Sequence, residues 1–99
     1  MEVKIQAIHF DAGEKLQEFI NKKVGKFGKL SDEIRKVDVQ LKVVKPETAM
    51  NKDVSIKVLA SNGEFFAEKV CDTFEEGVDL CLDALARQVS KFKEKQRNR

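Results

Sequence analysis

At 99 residues the chain fits a single domain with a real but modest core. It is 41% hydrophobic and 36% charged, a soluble globular balance, and a net charge of +2 is too small to predict an anionic partner by itself. No apolar run approaches the ~18 residues of a membrane span, and the opening Met-Glu-Val-Lys-Ile has neither the basic segment nor the apolar core of a secretory signal.

Val3, Ile5 and Ala7 alternate with Lys4, Gln6 and Ile8, the period of a strand. Asp11 offers an N-cap with Glu14 three residues on, so a helix is expected from about residue 12 to 29 with Leu16, Phe19, Ile20, Val24 and Phe27 on one face. Gly28 is its expected stop, and Gly25 should weaken its last turns. Alternation returns between Arg35 and Lys45, with Val37, Val39, Leu41 and Val43 on one side. Pro46 cannot donate to a ladder and ends that strand, and Glu47 to Asn51 reads as a loop. A third strand places Val54, Ile56, Val58 and Ala60 inward. Asn62-Gly63 predicts a tight type I′ turn, whose central residues both need positive φ. The fourth strand, Glu64 to Cys71, is read with Phe65 and Ala67 inward, against a competing face of Phe66 and Val70. Asp72 and Thr73 open a final helix with a Thr73–Glu76 capping box and an apolar stripe from Phe74 through Val78, Cys81, Leu82, Leu85 and Val89 to Phe92. Cys71 and Cys81 lack CxxC spacing and are read as reduced structural thiols.

The order β-α-β-β-β-α predicts an α+β fold: a four-stranded mixed sheet with two parallel helices packed on one face, in the manner of a double-stranded-RNA-binding domain. Counting chain reversals makes the first two strands parallel, with a right-handed crossover, and the last three a meander. Both helices then end at the same edge of the sheet. That parity gathers their C-terminal basic residues. Lys22, Lys26 and Lys29 lie outward on the first helix, and Lys23 stands beside its apolar face. On the second, Arg87, Lys91 and Lys95 repeat along one flank, and Lys93 and Arg97 along the other. One lysine alone is explained by the helix dipole or by ordinary solvation. The set, extending past Phe92 where the apolar stripe ends, points to a polyanion.

Enzyme chemistry is not expected. His9 is the single histidine, and no metal-ligand spacing, GxGxxG or Walker loop is present, so no cofactor or metal is assigned. The outer sheet face, with Lys4, Gln6, Lys36, Asp38, Gln40, Lys42, Ser55 and Lys57, argues against base stacking on the sheet.

Three segments resemble the bacterial ribosome hibernation-promoting factors, a family that includes the ribosome-associated translation inhibitor also called sigma-54 modulation protein. They are Leu82 to Lys95 (Leu-Asp-Ala-Leu-Ala-Arg-Gln-Val-Ser-Lys-Phe-Lys-Glu-Lys), Leu16 to Lys29 with Glu-Phe-Ile-Asn-Lys-Lys-Val, and the strand Val-Gln-Leu-Lys-Val-Val-Lys at 39–45. The resemblance covers essentially the whole chain. It implies a cytoplasmic, non-enzymatic protein, a monomer when free, in a single ribosome-binding domain over residues 1–99. It implies binding to the small ribosomal subunit, to rRNA first and ribosomal proteins second, in the channel for mRNA and tRNA. Translation would be inhibited under stress or in stationary phase, with no small-molecule substrate and no membrane. Its pattern carries rRNA contact to Lys23, Lys26, Arg87, Lys91, Lys93 and Lys95, whereas Lys22, Lys29 and Arg97 are added on the charge argument. The chain looks like a short form without the C-terminal domain of long forms. Ile8-His9-Phe10 and Lys69 depart from the family pattern, which has a polar segment and a small inward residue there. A generic RNA-binding or chaperone module, or a basic protein-interaction module, is the alternative reading.

Overall fold

A computed structural model describes residues 1–44 and 50–97, with side chains through Lys93. The expected Pro46 strand end and the loop positions 47–49 lie outside those residues. The elements are β1 (Glu2–Ile8), α1 (Glu14–Phe27), a 3₁₀ turn (Gly28–Leu30), β2 (Ile34–Val43), β3 (Lys52–Ala60), β4 (Gly63–Cys71) and α2 (Phe74–Arg97). They form the expected α+β architecture, a mixed four-stranded sheet in the order β1-β2-β3-β4. β1 runs parallel to β2, and the other neighbours are antiparallel.

The alternating apolar residues settle which face is covered. Val37, Val39 and Leu41 of β2 and Val54, Ile56 and Val58 of β3 are fully buried, and they join one core with Ile20, Val24 and Phe27 of α1 and Phe74, Val78, Cys81, Leu82, Leu85 and Val89 of α2. Burying each such aliphatic side chain contributes about 1.5–3 kcal/mol, which only a continuous apolar face can collect. In β4 the inward pair is Phe65 and Ala67. Phe66 and Val70 are left on the outer face, 55% and 41% exposed. Lys69 shares the inward parity but is exposed, because β4 is an edge strand.

Gly77 sets how closely α2 approaches the sheet. A Cβ at this position would lie 2.5 Å from Val54 Cγ2, so only a glycine lets the helix settle on β3. The far end of α2 is held by Phe92, whose ring meets that of Phe65 edge-on at 5.6 Å and 82°.

Three local expectations are corrected. Asp11 does not cap α1: Gly13 occupies the N-cap position and no side chain bonds there. The residues before it are used differently. His9 takes a left-handed φ of 67°, and Phe10 stacks on Phe74 at 5.1 Å and 5°, tying the start of α1 to that of α2. Gly28 does not stop the helix through a left-handed cap, since its φ is −61°; the chain tightens into the 3₁₀ turn and ends at extended Ser31. The β3–β4 turn is not type I′. Ala60 pairs with Gly63, so Ser61 and Asn62 form the turn, and neither has positive φ. Its geometry is fixed by a tertiary anchor: Ser61 N–H donates to the Glu33 carbonyl at 2.9 Å, and its hydroxyl donates to the Glu33 carboxylate. At the start of α2, Thr73 does cap, accepting the Glu76 N–H at 3.1 Å. Asp72 instead accepts the Met50 N–H at 2.7 Å.

Candidate nucleic-acid interface

The helices run side by side in the same direction. Lys23 of α1 meets Asp79 of α2, and further along both chains Leu30 meets Lys93. Between them lies a groove of about 230 Å³ lined by Lys23, Lys26, Phe27, Leu30, Asp79, Leu82, Asp83 and Ala86. Ala86 also borders a second, shallower depression of about 320 Å³ with Arg87, Ser90 and Lys91. The two hollows meet at this one small side chain. Lys23 and Lys26 therefore share a continuous surface with Arg87 and Lys91.

The basic residues differ in how far they are already engaged. Lys23 is half-buried; its Nζ lies 3.3 Å from Asp79 Oδ1 and 5.5 Å from the centroid of the Phe19 ring. Its stem covers apolar surface while its charge reaches the groove. Lys93 Nζ donates to the Leu30 carbonyl at 2.6 Å, satisfying the end of the 3₁₀ turn, where the dipole favours a cation. Lys22, Lys26, Lys29, Arg87 and Lys91 are exposed and, among the described residues, form no ion pair. The Lys95 and Arg97 side chains lie outside the described residues.

The structure adds residues that charge counting along each helix does not find. Asp79 and Asp83 line the groove together with Lys23 and Lys26, so its charge is mixed there and becomes wholly basic only toward Arg87 and Lys91. The four-residue spacing of the two aspartates, combined with the parallel alignment of the helices, is the signal that places them there. Ala86 lines both hollows, and Ser90 lines the second.

Among the described residues no group of three or more His, Cys, Asp or Glu side chains is placed to hold a metal. Cys71 and Cys81 are free and buried. Burial pushes both thiols up, that of Cys81 to about 11, with Glu76 and Asp72 adding to the effect on Cys71. Neither thiol is a ready nucleophile at neutral pH. No helix among the described residues is long and apolar enough to cross a membrane.

A mixed sheet covered on one face by two parallel helices is also the architecture of a ribosomal subunit interface protein from Coxiella burnetii. That structure superimposes with a TM-score of 0.83 over 95% of this chain and 99% of the other, at 23% identity. The Thermus thermophilus Protein Y N-terminal domain gives 0.77 over 93% and 99% of the two chains, at 19% identity. At such identities the likeness is one of fold. Sequence goes further: the model of the family described as Sigma 54 modulation protein / S30EA ribosomal protein matches residues 3–97, and the chain belongs to that family. It is 32% identical over 95 residues to the ribosome hibernation promoting factor of Escherichia coli K12, covering 96% of each chain. With the ribosome hibernation promoting factor of Pseudomonas putida it shares 28% over 98 residues, 99% of this chain and 92% of that one.

Proposed function

We propose that this protein is a ribosome hibernation factor that binds the small ribosomal subunit through the surface shared by α1 and α2. In this reading it occupies the channel for mRNA and tRNA and inhibits translation under stress or in stationary phase. The observation that carries the reading is the junction at Ala86, which joins Lys23 and Lys26 to Arg87 and Lys91 on one surface. Family membership and the names of the relatives support the ribosome as the polyanion.

The chemistry is electrostatic and non-enzymatic. Lys22, Lys26, Lys29, Arg87 and Lys91 contact phosphates and release counterions, so binding weakens steeply with salt. Arg87 can hold one phosphate with two N–H groups, which a lysine cannot. Lys23 contributes while sharing its charge with Asp79, and Lys93 while holding the end of the 3₁₀ turn. Lys95 and Arg97 extend the row by sequence.

Chemical probing of rRNA on small subunits, with and without the purified protein, tests this reading. Protection confined to the mRNA and tRNA channel is the expected result. Protection scattered over exposed rRNA helices would instead indicate a generic RNA-binding module.

A further inference from the structure

Beyond the basic flank of α2 lies a further hollow, of about 250 Å³, lined by Phe65, Gln88, Lys91 and Phe92. Helical spacing builds it. Arg87 and Lys91 stand four residues apart on one flank of α2, and Gln88 and Phe92 stand four apart on the next flank, where both touch β4. Lys91 lines this hollow and also the one it shares with Arg87, so it forms the rim between them.

Three features define what this hollow would accept. Its floor is aromatic: Phe65 and Phe92 meet edge-on at 5.6 Å, and both are only half-buried. In an edge-on pair, the ring that offers its edge keeps both faces clear of its partner. The second feature is a fixed amide. Gln88 Nε2 donates to the Phe66 carbonyl at 3.0 Å, on the side of β4 that no strand covers. Held in this way, the amide keeps an acceptor oxygen and a second N–H. The third is charge. Among the described residues that line the hollow Lys91 alone is charged, and the adjoining hollow adds Arg87. The neighbouring acid Glu64 lies on the opposite face of the sheet, 3.7 Å from Lys57.

We propose that this hollow receives one unstacked base of single-stranded RNA, laid on the Phe65–Phe92 pair with its edge toward the Gln88 amide, while the adjoining phosphate sits between Lys91 and Arg87. The inference rests on the reading of the helical surface as an RNA site and adds to it a contact with a base. Every base has a π-face that stacks on an aromatic ring, and its phosphate supplies the negative charge that Lys91 and Arg87 attract. A paired base keeps its face inside the duplex, so the hollow favours an unpaired strand over a double helix. An apolar side chain from a protein would cover the aromatic floor but leave Lys91 and Arg87 without a counter-charge.

The test is a titration of the full, isotope-labelled chain, followed through its backbone amide resonances. Three probes are compared: a short oligouridylate, an abasic ribose-phosphate chain of the same length, and a neutral peptide with a single phenylalanine. The oligouridylate should shift the amides of Phe65, Gln88, Lys91 and Phe92. The abasic chain should leave Phe65 and Phe92 unshifted and bind about fivefold more weakly, the scale of one lost base stack. F92L should weaken the oligouridylate by about fivefold and leave the abasic chain unchanged, since it removes a stacking ring and no charge. K91Q should weaken both chains. The dispersed spectra of the two variants report their folding in the same experiment. Equal binding of the two chains, F92L weakening both alike, or the peptide filling the hollow more tightly than the oligouridylate would each overturn the base site and leave the phosphate surface standing. Failure of both chains to shift Arg87 and Lys91 would overturn the RNA surface as well.

Discussion

Lys23 of α1 and Asp79 of α2 form the ion pair that bridges the two helices, Nζ to Oδ1 at 3.3 Å, at the head of the proposed RNA groove. Their side chains are 38% and 49% exposed, so solvent screens the pair and its contribution to stability is below about 1 kcal/mol. Its larger effect is to withhold one cation from the groove. Asp79→Asn should therefore leave the unfolding midpoint nearly unchanged but tighten binding to RNA. The slope of log K against log salt should steepen by about one counterion, measurable by fluorescence anisotropy at several KCl concentrations.

Gly77 and Gly25 are both helical glycines, yet alanine should act on them in opposite directions. At Gly77 the new methyl would stand 2.5 Å from Val54 Cγ2 and force α2 off the sheet. Overpacking of this kind costs about 1–3 kcal/mol, more than the helix propensity gained. Gly25 has nothing within 4 Å of the added carbon, and Gly25→Ala should stabilise the fold by about 0.5–1 kcal/mol. Urea unfolding of the two variants beside the parent chain checks both signs.

The buried thiols give a stability profile at high pH. In the folded chain Cys81 is pushed up to about 11 from an ordinary value of 9.0, and burial also raises Cys71. Above the ordinary value the unfolded chain loses these protons first, so the unfolded state binds fewer protons than the native one. Stability is then fully present below about pH 9 and falls as pH rises toward about 11. Cys81→Ala should flatten that fall in a series of unfolding midpoints. A profile unchanged by the substitution would show that other groups cause it.

How much of this was legible from sequence depends on whether the relevant force is local. The strands of Val37 to Leu41 and Val54 to Val58, the stripe of α2 and the inward Phe65–Ala67 register all follow from apolar periodicity, and the structure keeps them. Where a tertiary partner decides, local rules fail. Asp11 has a good capping side chain, but the positive φ of His9 and the stacking of Phe10 on Phe74 shift the helix start to Gly13. Asn62-Gly63 has good hairpin chemistry, but Glu33 binds Ser61 and moves the turn one residue back. The groove is an intermediate case. Chain parity brings Lys26 and Arg87 toward one edge, whereas the intrusion of Asp79 and Asp83 and the opening at Ala86 depend on how the helices lie against each other.

The central claim is that α1 and α2 present one ribosome-binding surface and that the opposite sheet face does not serve that role. Its most direct test compares two triple charge reversals in co-sedimentation with small ribosomal subunits at moderate salt. One carries Lys26→Glu, Arg87→Glu and Lys91→Glu; the other carries Lys4→Glu, Lys36→Glu and Lys42→Glu on the outer sheet face. The helical variant should lose binding by more than about tenfold, with a salt dependence shallower by about three counterions, while the sheet variant sediments like the parent chain. Undiminished sedimentation of the helical variant, or equal loss in both, would contradict the assignment.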